Sequence, residues 1–381
     1  MTHVLCLFHN EGVENSDDSV LVWLREFGAA CSETSARFFP HASSGKGDPI
    51  MKAMILEEFG EPDVFKMVEL PTPELKSDQV LIRVAASGVN PIDWKIRSGL
   101  APALAPDFPA ILHSDVAGTV EAVGRDVKRF KPGDEVFACA GGVKGHGGAL
   151  AEFMVIQADL LAFTPATLSL TEAAVLPVVS ITAWEALINR AALRPGQRVL
   201  IHGGAGGVGH IAIQLAKCAG AIVYTTVSNS TKAELARKAG ADATINYWEQ
   251  DVQEYVNEHT GGEGFDVVFD TVGGENLIHS FQAARLSGTV VSIATRCTAD
   301  LTLLHHRNLT LHVVFILLPL LTGQGCARHG EILQNIARLV DNNRLRPFLD
   351  PEKFTFRNVA EAHRKLQSGQ AIGKIGLEAI F

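Results

Sequence analysis

No run of lysine and arginine occurs anywhere in the chain, and its formal net charge is −9. Clustered cations are what neutralise DNA phosphates or an anionic membrane surface, so their absence argues against both partners. No C-x-x-C pair is present either. The six cysteines, Cys6, Cys31, Cys139, Cys218, Cys297 and Cys326, are scattered, which points to reduced thiols in the cytoplasm. Long apolar runs are also missing. The most apolar stretch, LTLHVVFILLPLL at 309–321, is interrupted by His312 and Pro319 and is too short to span a bilayer. It reads as a buried strand or an interface. The N-terminal region lacks the basic start of a secretory signal and the acid-poor character of a transit peptide, since Glu11, Glu14, Asp17 and Asp18 follow its short apolar patch.

The first fifty residues differ from the rest. From Phe39 the chain reads PHASSGKGDPI, a linker composition, and Met51 then opens MKAMILEEFGEPDVFKMVELP, the expected first strands of a domain. Residues 1–50 are therefore expected to be an extension outside the fold, or Met51 the real start.

The 381 residues allow two domains with separate cores. Strands are expected at 80–89, 116–124, 134–140 and 152–157, separated by turns such as Asn90-Pro91 and Lys131-Pro132-Gly133-Asp134. That pattern predicts a β-rich domain up to about residue 170. Residues 171–188 read as helical, broken or kinked at Pro177. Strands and helices then alternate through GTVVSIA, which predicts an α/β domain with a doubly wound parallel sheet. Two helical runs, GEILQNIARLVDNN and VAEAHRKLQSG, and a terminal strand in GKIGLEAIF close the chain.

One stretch inside the alternating region says more than the rest. In VLIHGGAGGVGHIAIQLAK an apolar strand enters the loop Gly204-Ala205-Gly206-Gly207-Val208-Gly209, and an amphipathic helix leaves it. Gly204, Gly206 and Gly209 fall in G-x-G-x-x-G register, the pattern of a dinucleotide site. The first glycine is expected to make the tight turn, the second to admit the pyrophosphate and the third to let helix pack on strand. A helix start adds N–H groups and a positive dipole end for phosphate. NAD sites carry an acid about twenty residues on, at the end of the second strand. Here AIVYTTV (221–227) is followed by Ser228, Asn229, Ser230, Thr231 and Lys232, with no acid before Glu234. Hydroxyls and a cation stand where a carboxylate would repel a 2′-phosphate, so Ser228 and Lys232 favour NADPH.

AASGVNPIDWKIRSG, DVAGTVEAVG, KPGDEVF, the glycine loop, AGADATINY and SGQAIGKIGLE, taken together and in this order, resemble the medium-chain dehydrogenase/reductase superfamily. Within it the match is to the zinc-free quinone oxidoreductase and enone reductase branch. The resemblance covers residues 51–381. It implies a GroES-like catalytic domain at 51–178 and 321–381 and a Rossmann domain at 179–320. Further cofactor contacts follow from matching motifs: Thr182 near the nicotinamide, Tyr247 near the adenosine 2′-phosphate, Gly273 where backbone passes the cofactor, and Lys374.

Zinc members of the superfamily hold metal through a cysteine that falls here on Asn90 and a histidine that falls on Ser114, with His113 one residue early. Tetrahedral zinc needs three or four converging ligands, so no metal is expected, and His146 reads as a partnerless loop histidine. Losing a Lewis acid makes a simple ketone hard to reduce. A quinone or α,β-unsaturated carbonyl spreads the developing charge, which hydrogen-bond donors can stabilise. The resemblance places Lys95 beside the nicotinamide ribose and substrate, and Asn90 as a substrate donor; Asp93 is expected to be structural or to pair with Lys95. The expectation is an NADPH-dependent, metal-free reductase of conjugated acceptors, paired as a homodimer through the apolar edge at 309–321. The alternatives are a non-catalytic NADPH-binding sensor or structural protein, or an alcohol dehydrogenase.

Overall fold

The structure is a computed structural model that describes residues 49–381. Of the expected extension, residues 1–48 lie outside the described residues. The first antiparallel pair is β1 (Ile50–Ile55) with β2 (Lys66–Pro71). It is extended at its open end by a bond from Thr72 N–H to Pro49 C=O at 2.8 Å.

β3 (Gln79–Gly88), β4 (Asp115–Val123), β5 (Glu135–Cys139), β6 (Phe153–Gln157) and β7 (Ala162–Phe163) build an antiparallel sheet in which β3 is flanked by β4 and β6. Along β3 the alternation is that of a half-buried strand: Val80, Ile82 and Val84 face the core and Arg83 faces water. Toward its end, Ala86, Ser87 and Gly88 are all buried, because further elements cover both faces there. Beyond β7 the chain forms a helix at Leu170–Ala174 and another at Pro177–Trp184, continued by a π-helical turn at Glu185–Arg190. Pro177 occupies the first turn of the second helix, where its missing N–H is not needed. The expected break is therefore a clean restart.

The second sheet is parallel throughout, in the order β10 (Ala243–Asn246), β9 (Ile222–Val227), β8 (Arg198–Ile201), β11 (Phe265–Asp270), β12 (Ala284–Ser292) and β13 (Thr310–Val313). Its central strands are unbroken apolar runs, Val199–Ile201 and Val267–Phe269, as strands covered on both faces require. The order reverses between β8 and β11, so a crevice opens beyond their carboxyl ends. The 309–321 run, expected as a buried strand or an interface, is not buried throughout. Only Thr310–Val313 is extended, it forms the sheet's edge, and Pro319 sits in the first turn of a short helix at Leu318–Thr322.

The chain then returns. A helix at Cys326–Asp341 packs its Gly330 against the Asp159 carbonyl, and β14 (Phe354–Thr355) and β15 (Gly376–Glu378) join the first sheet. β15 runs antiparallel to β3, with Gly376 opposite Gly88. Among the described residues no helix is long and apolar enough to cross a membrane.

Candidate active site

The glycine loop leaves β8 and enters the helix Gly207–Cys218, with Gly206 as its extended N-cap. The left-handed residue of the turn is Gly203, at φ +72°, one position before the expected Gly204. Gly204 is required for space instead: a Cβ there would sit 2.1 Å from Thr225 Oγ1. Gly209 is likewise required for space, since a Cβ would lie 2.1 Å from the Gly203 carbonyl. Gly206, Ser228, Lys232 and Tyr247 then line one cleft of about 210 Å³, together with Ala205, Thr226 and Thr271. No acidic residue lines it. Lys232 Nζ reaches to 3.4 Å from the Gly369 carbonyl, and half-exposed Tyr247 leans on Trp248 with ring centroids 5.1 Å apart. Small backbone, hydroxyls and one cation fit the phosphates of a phosphorylated dinucleotide.

A second cluster lies where the return meets the first domain. Asn90 caps the short helix Pro91–Arg97, and its backbone N–H donates to Asp93 Oδ2 at 2.7 Å. Its side-chain Nδ2 donates to Asp115 Oδ2 at 2.8 Å, and its Oδ1 accepts from Lys374 Nζ at 2.6 Å. Lys374 Nζ also donates to the Val89 carbonyl at 3.0 Å and pairs with Asp115 Oδ2 at 3.1 Å. Asp115 Oδ1 accepts from Val178 N–H at 2.7 Å, in the first turn of the Pro177–Trp184 helix that carries Thr182. Asn90, Asp93, Asp115 and Lys374 are all buried. Burial raises the Asp93 carboxyl to about 8. Cys139 lies opposite Asp115 on β5, and burial beside these carboxylates pushes its thiol well up.

The remaining expected residues fall elsewhere. Lys95 is exposed, its Nζ 5.9 Å from the Trp94 ring, and it does not pair with Asp93, whose carboxyl turns back to the Asn90 backbone. Thr182 is buried and donates back to the Val178 carbonyl at 2.6 Å. Gly273 is left-handed (φ +75°) and packs under the Ala294 carbonyl, beside a turn that Asp270 holds through the Val272 and Gly273 N–H groups. His146 is not partnerless: its Nε2 is 2.8 Å from the Leu320 carbonyl, which ties its loop to the end of the apolar run.

Known proteins share both halves. Residues 76–166 match the alcohol dehydrogenase GroES-like domain family, and residues 207–338 match the zinc-binding dehydrogenase family. The chain is 34% identical to the 2-methylene-furan-3-one reductase of Solanum lycopersicum over 87% of its length and 79% of that protein. It is 33% identical to the chloroplastic NADPH-dependent alkenal/one oxidoreductase of Arabidopsis thaliana, covering 85% of this chain and 78% of that one. The Escherichia coli quinone oxidoreductase, solved in complex with NADPH, superposes with a TM-score of 0.77 at 29% identity, over 86% of this chain and all (100%) of that one. The chain belongs to the medium-chain dehydrogenase/reductase superfamily. Its relatives place it in the quinone oxidoreductase branch.

Within that superfamily the positions expected to carry zinc ligands hold other chemistry here. Asn90 is bonded to Asp115, and Ser114 is buried with its hydroxyl unpartnered among the described residues. No group of three or more His, Cys, Asp or Glu side chains among the described residues is placed to hold a metal. His113, left-handed at φ +76°, instead faces Ser87 Oγ at 3.1 Å and His363 Nε2 at 2.9 Å, and Arg97 Nε donates to His363 Nδ1 at 3.3 Å. Burial lowers His113 to about 3 and His363 well below its ordinary value.

Sequence reasoning missed the residues that hold the cofactor loop to the return. His210 Nδ1 donates to the Gly206 carbonyl at 2.8 Å, and its Nε2 accepts from Phe348 N–H at 3.1 Å. Gln214 exchanges two bonds of 2.9 Å with the Arg346 backbone. Both lie on the helix of the glycine motif, at positions i and i+4. That spacing marks one helix face, but it does not say what the face meets. Locally, Asp115 is marked only as the first residue of the DVAGTVEAVG strand.

Proposed function

We propose that this chain is an NADPH-dependent, metal-free reductase of quinones or α,β-unsaturated carbonyls, divided into domains at 51–178 with 321–381 and at 179–320. The observation that carries the reading is the acid-free cleft that gathers Gly206, Ser228, Lys232 and Tyr247. A carboxylate at the end of β9 would repel a 2′-phosphate; Ser228 and Lys232 stand there instead, and Tyr247 joins them in the cleft from the end of β10. Bound in this cleft, NADPH supplies the hydride that the acceptor takes up. Gly204 to Gly209, with Ala205, Gly207 and Val208, let the pyrophosphate reach the backbone and the first-turn N–H groups, which have no intrahelical acceptor. Ser228, Lys232 and Tyr247 hold the 2′-phosphate.

On the acceptor side, Asn90 donates to the oxygen on which charge develops, and Lys95, from the helix that Asn90 starts, supplies a cation. A conjugated acceptor suits such donors because its charge is spread before a hydrogen bond is asked to stabilise it. Support for metal-free chemistry comes from the use already made of Asn90 and Asp115 as each other's partners. Support for a homodimer comes from β13, an edge strand with Val313 and Phe315 about half exposed beside it. Cys139, Cys218, Cys297 and Cys326 are free thiols, in keeping with a reducing compartment such as the cytoplasm.

The test is loss of reduced-nicotinamide absorbance with naphthoquinone, hexenal, cyclohexenone and cyclohexanone, each with and without a chelator. Chelator-insensitive turnover of the conjugated acceptors alone is the expected result. Turnover of cyclohexanone that a chelator abolishes would overturn the reading. Tight NADPH binding without turnover of any acceptor would replace it with a sensor or structural role.

A further inference from the structure

Lys374 resembles a cofactor-contacting lysine in sequence, yet its ammonium is fully committed inside the protein. An ammonium has three hydrogens, and the Val89 carbonyl, Asn90 Oδ1 and Asp115 Oδ2 stand at 3.0, 2.6 and 3.1 Å to accept them. With its side chain 4% exposed, it has no N–H left for a phosphate.

We infer that Lys374 and Asp115 are positioning residues that fix the orientation of the Asn90 amide and tie that orientation to the cofactor loop. A side-chain amide has two ends that a flip exchanges. Here a cation stands at Oδ1 and a carboxylate at Nδ2. The flipped amide would set its oxygen against the Asp115 carboxylate and its N–H groups against the Lys374 ammonium. Asp115 is itself held, since its other oxygen accepts from Val178 N–H. Asn90 Nδ2 has two hydrogens and Asp115 takes one, so the second is the donor that the reductase reading assigns to the acceptor. The cation at Oδ1 polarises the amide and strengthens that remaining donor.

The tie to the loop runs through the stem and backbone of the same region. The Lys374 stem passes so close to Gly207 that a Cβ there would lie 2.9 Å from Lys374 Cδ, and Gly373 N–H donates to the Ala205 carbonyl at 3.0 Å. Lys374 thus touches the first residue of the phosphate-binding helix with its methylenes and Asn90 with its charge. This assignment rests on the reductase reading, in which Asn90 meets the acceptor.

The test is a cycle between the charge-neutral double variant K374M/D115N and N90A, using naphthoquinone and hexenal as acceptors and fluorescence to measure the Kd of NADPH. Removing both charges together avoids leaving one buried without its partner. Positioning predicts a Kd for NADPH within about threefold of wild type and a kcat lower by about thirtyfold. Adding N90A to the double variant then costs little more, because both changes act through one amide. A Kd raised more than about tenfold with kcat intact at saturating NADPH would make Lys374 a cofactor ligand and overturn the inference. Losses that multiply with those of N90A would overturn it as well. If K374M/D115N does not fold, K374Q/D115N, which keeps a donor beside Asn90 Oδ1, reads the same quantities. Absence of turnover by the wild-type chain would instead bring down the reductase reading on which Asn90's role depends.

Discussion

Lys374 and Asp115, 259 positions apart in sequence, meet as a buried ion pair with Nζ 3.1 Å from Oδ2. Breaking one side leaves the other charge in the interior without compensation. Lys374→Met alone is therefore expected to lower stability by about 3–5 kcal/mol. Adding Asp115→Asn should recover much of that loss. Denaturant midpoints for the two single variants and the double variant check both statements.

Two glycines of the loop predict opposite outcomes for the same substitution. Gly204→Ala drives a Cβ into Thr225, whose hydroxyl donates to the Ile201 carbonyl at 2.6 Å. The expected cost is about 1–3 kcal/mol of stability, as for other overpacked sites. Gly206→Ala meets only the Gly203 carbonyl, at 3.2 Å, with φ at −79°, and should leave the melting temperature nearly unchanged. A fall in NADPH affinity of about tenfold in Gly206→Ala would then report the phosphate rather than the fold.

Coenzyme preference should respond to a single charge at the end of β9. Ser228→Asp places a carboxylate in the cleft shared with Lys232 and Tyr247. The ratio of NADPH to NADH affinity is expected to fall by about a hundredfold. Paired titrations with the two coenzymes measure it, and an unchanged ratio would remove Ser228 from the site.

The buried histidines make stability fall on the acid side. Burial holds His113 at about 3 and His210 at about 4, against an ordinary 6.5. Around His113 the facing groups are Lys374, His363 and, beyond it, Arg97. Below 6.5 the unfolded chain takes up protons that the folded chain refuses until pH 3 to 4. Stability therefore declines as pH drops through that window. Asp93 works in the opposite sense. Its carboxyl is raised from 3.8 to about 8, so its contribution is full below 3.8 and is lost as pH rises through about 8. Unfolding midpoints across pH should show both limbs, and Asp93→Asn should flatten the alkaline one.

Association through the edge of the parallel sheet is testable with one charge. Val313 is 48% exposed on β13, and Val313→Lys places a cation on that edge. Light scattering at micromolar concentration should report a dimer for the wild-type chain and a shift toward monomer for the variant. A wild-type monomer would rule out the pairing.

The strands of both sheets could be read from local pattern, because alternation in β3 and unbroken apolar runs in β8 and β11 reflect how many faces each buries. The cofactor cleft was legible for a similar reason: glycine register and a missing acid are properties of contiguous residues. The Asn90 cluster was not. Asn90 reads equally well as a turn residue before Pro91, and nothing local says that its backbone starts a helix while its amide joins Lys374 and Asp115. His113 and His363, 250 positions apart, have no local signature at all. The edge position of the strand in the 309–321 run came from the family resemblance and not from composition, because an apolar edge and an apolar core read alike in sequence.

The last strand gives the chain an order of assembly. β15 covers Ala86 to Gly88 of β3, and Lys374 lies just before it. A ribosome releases the amino-terminal half first, so the first sheet emerges with that stretch of β3 bare on one side. Asn90 must wait through the synthesis of the entire nucleotide domain before the Lys374 cation arrives. The coenzyme cleft waits as well, because Ala371 lines it and Gly373 N–H closes on the Ala205 carbonyl, so the same late segment completes both clusters.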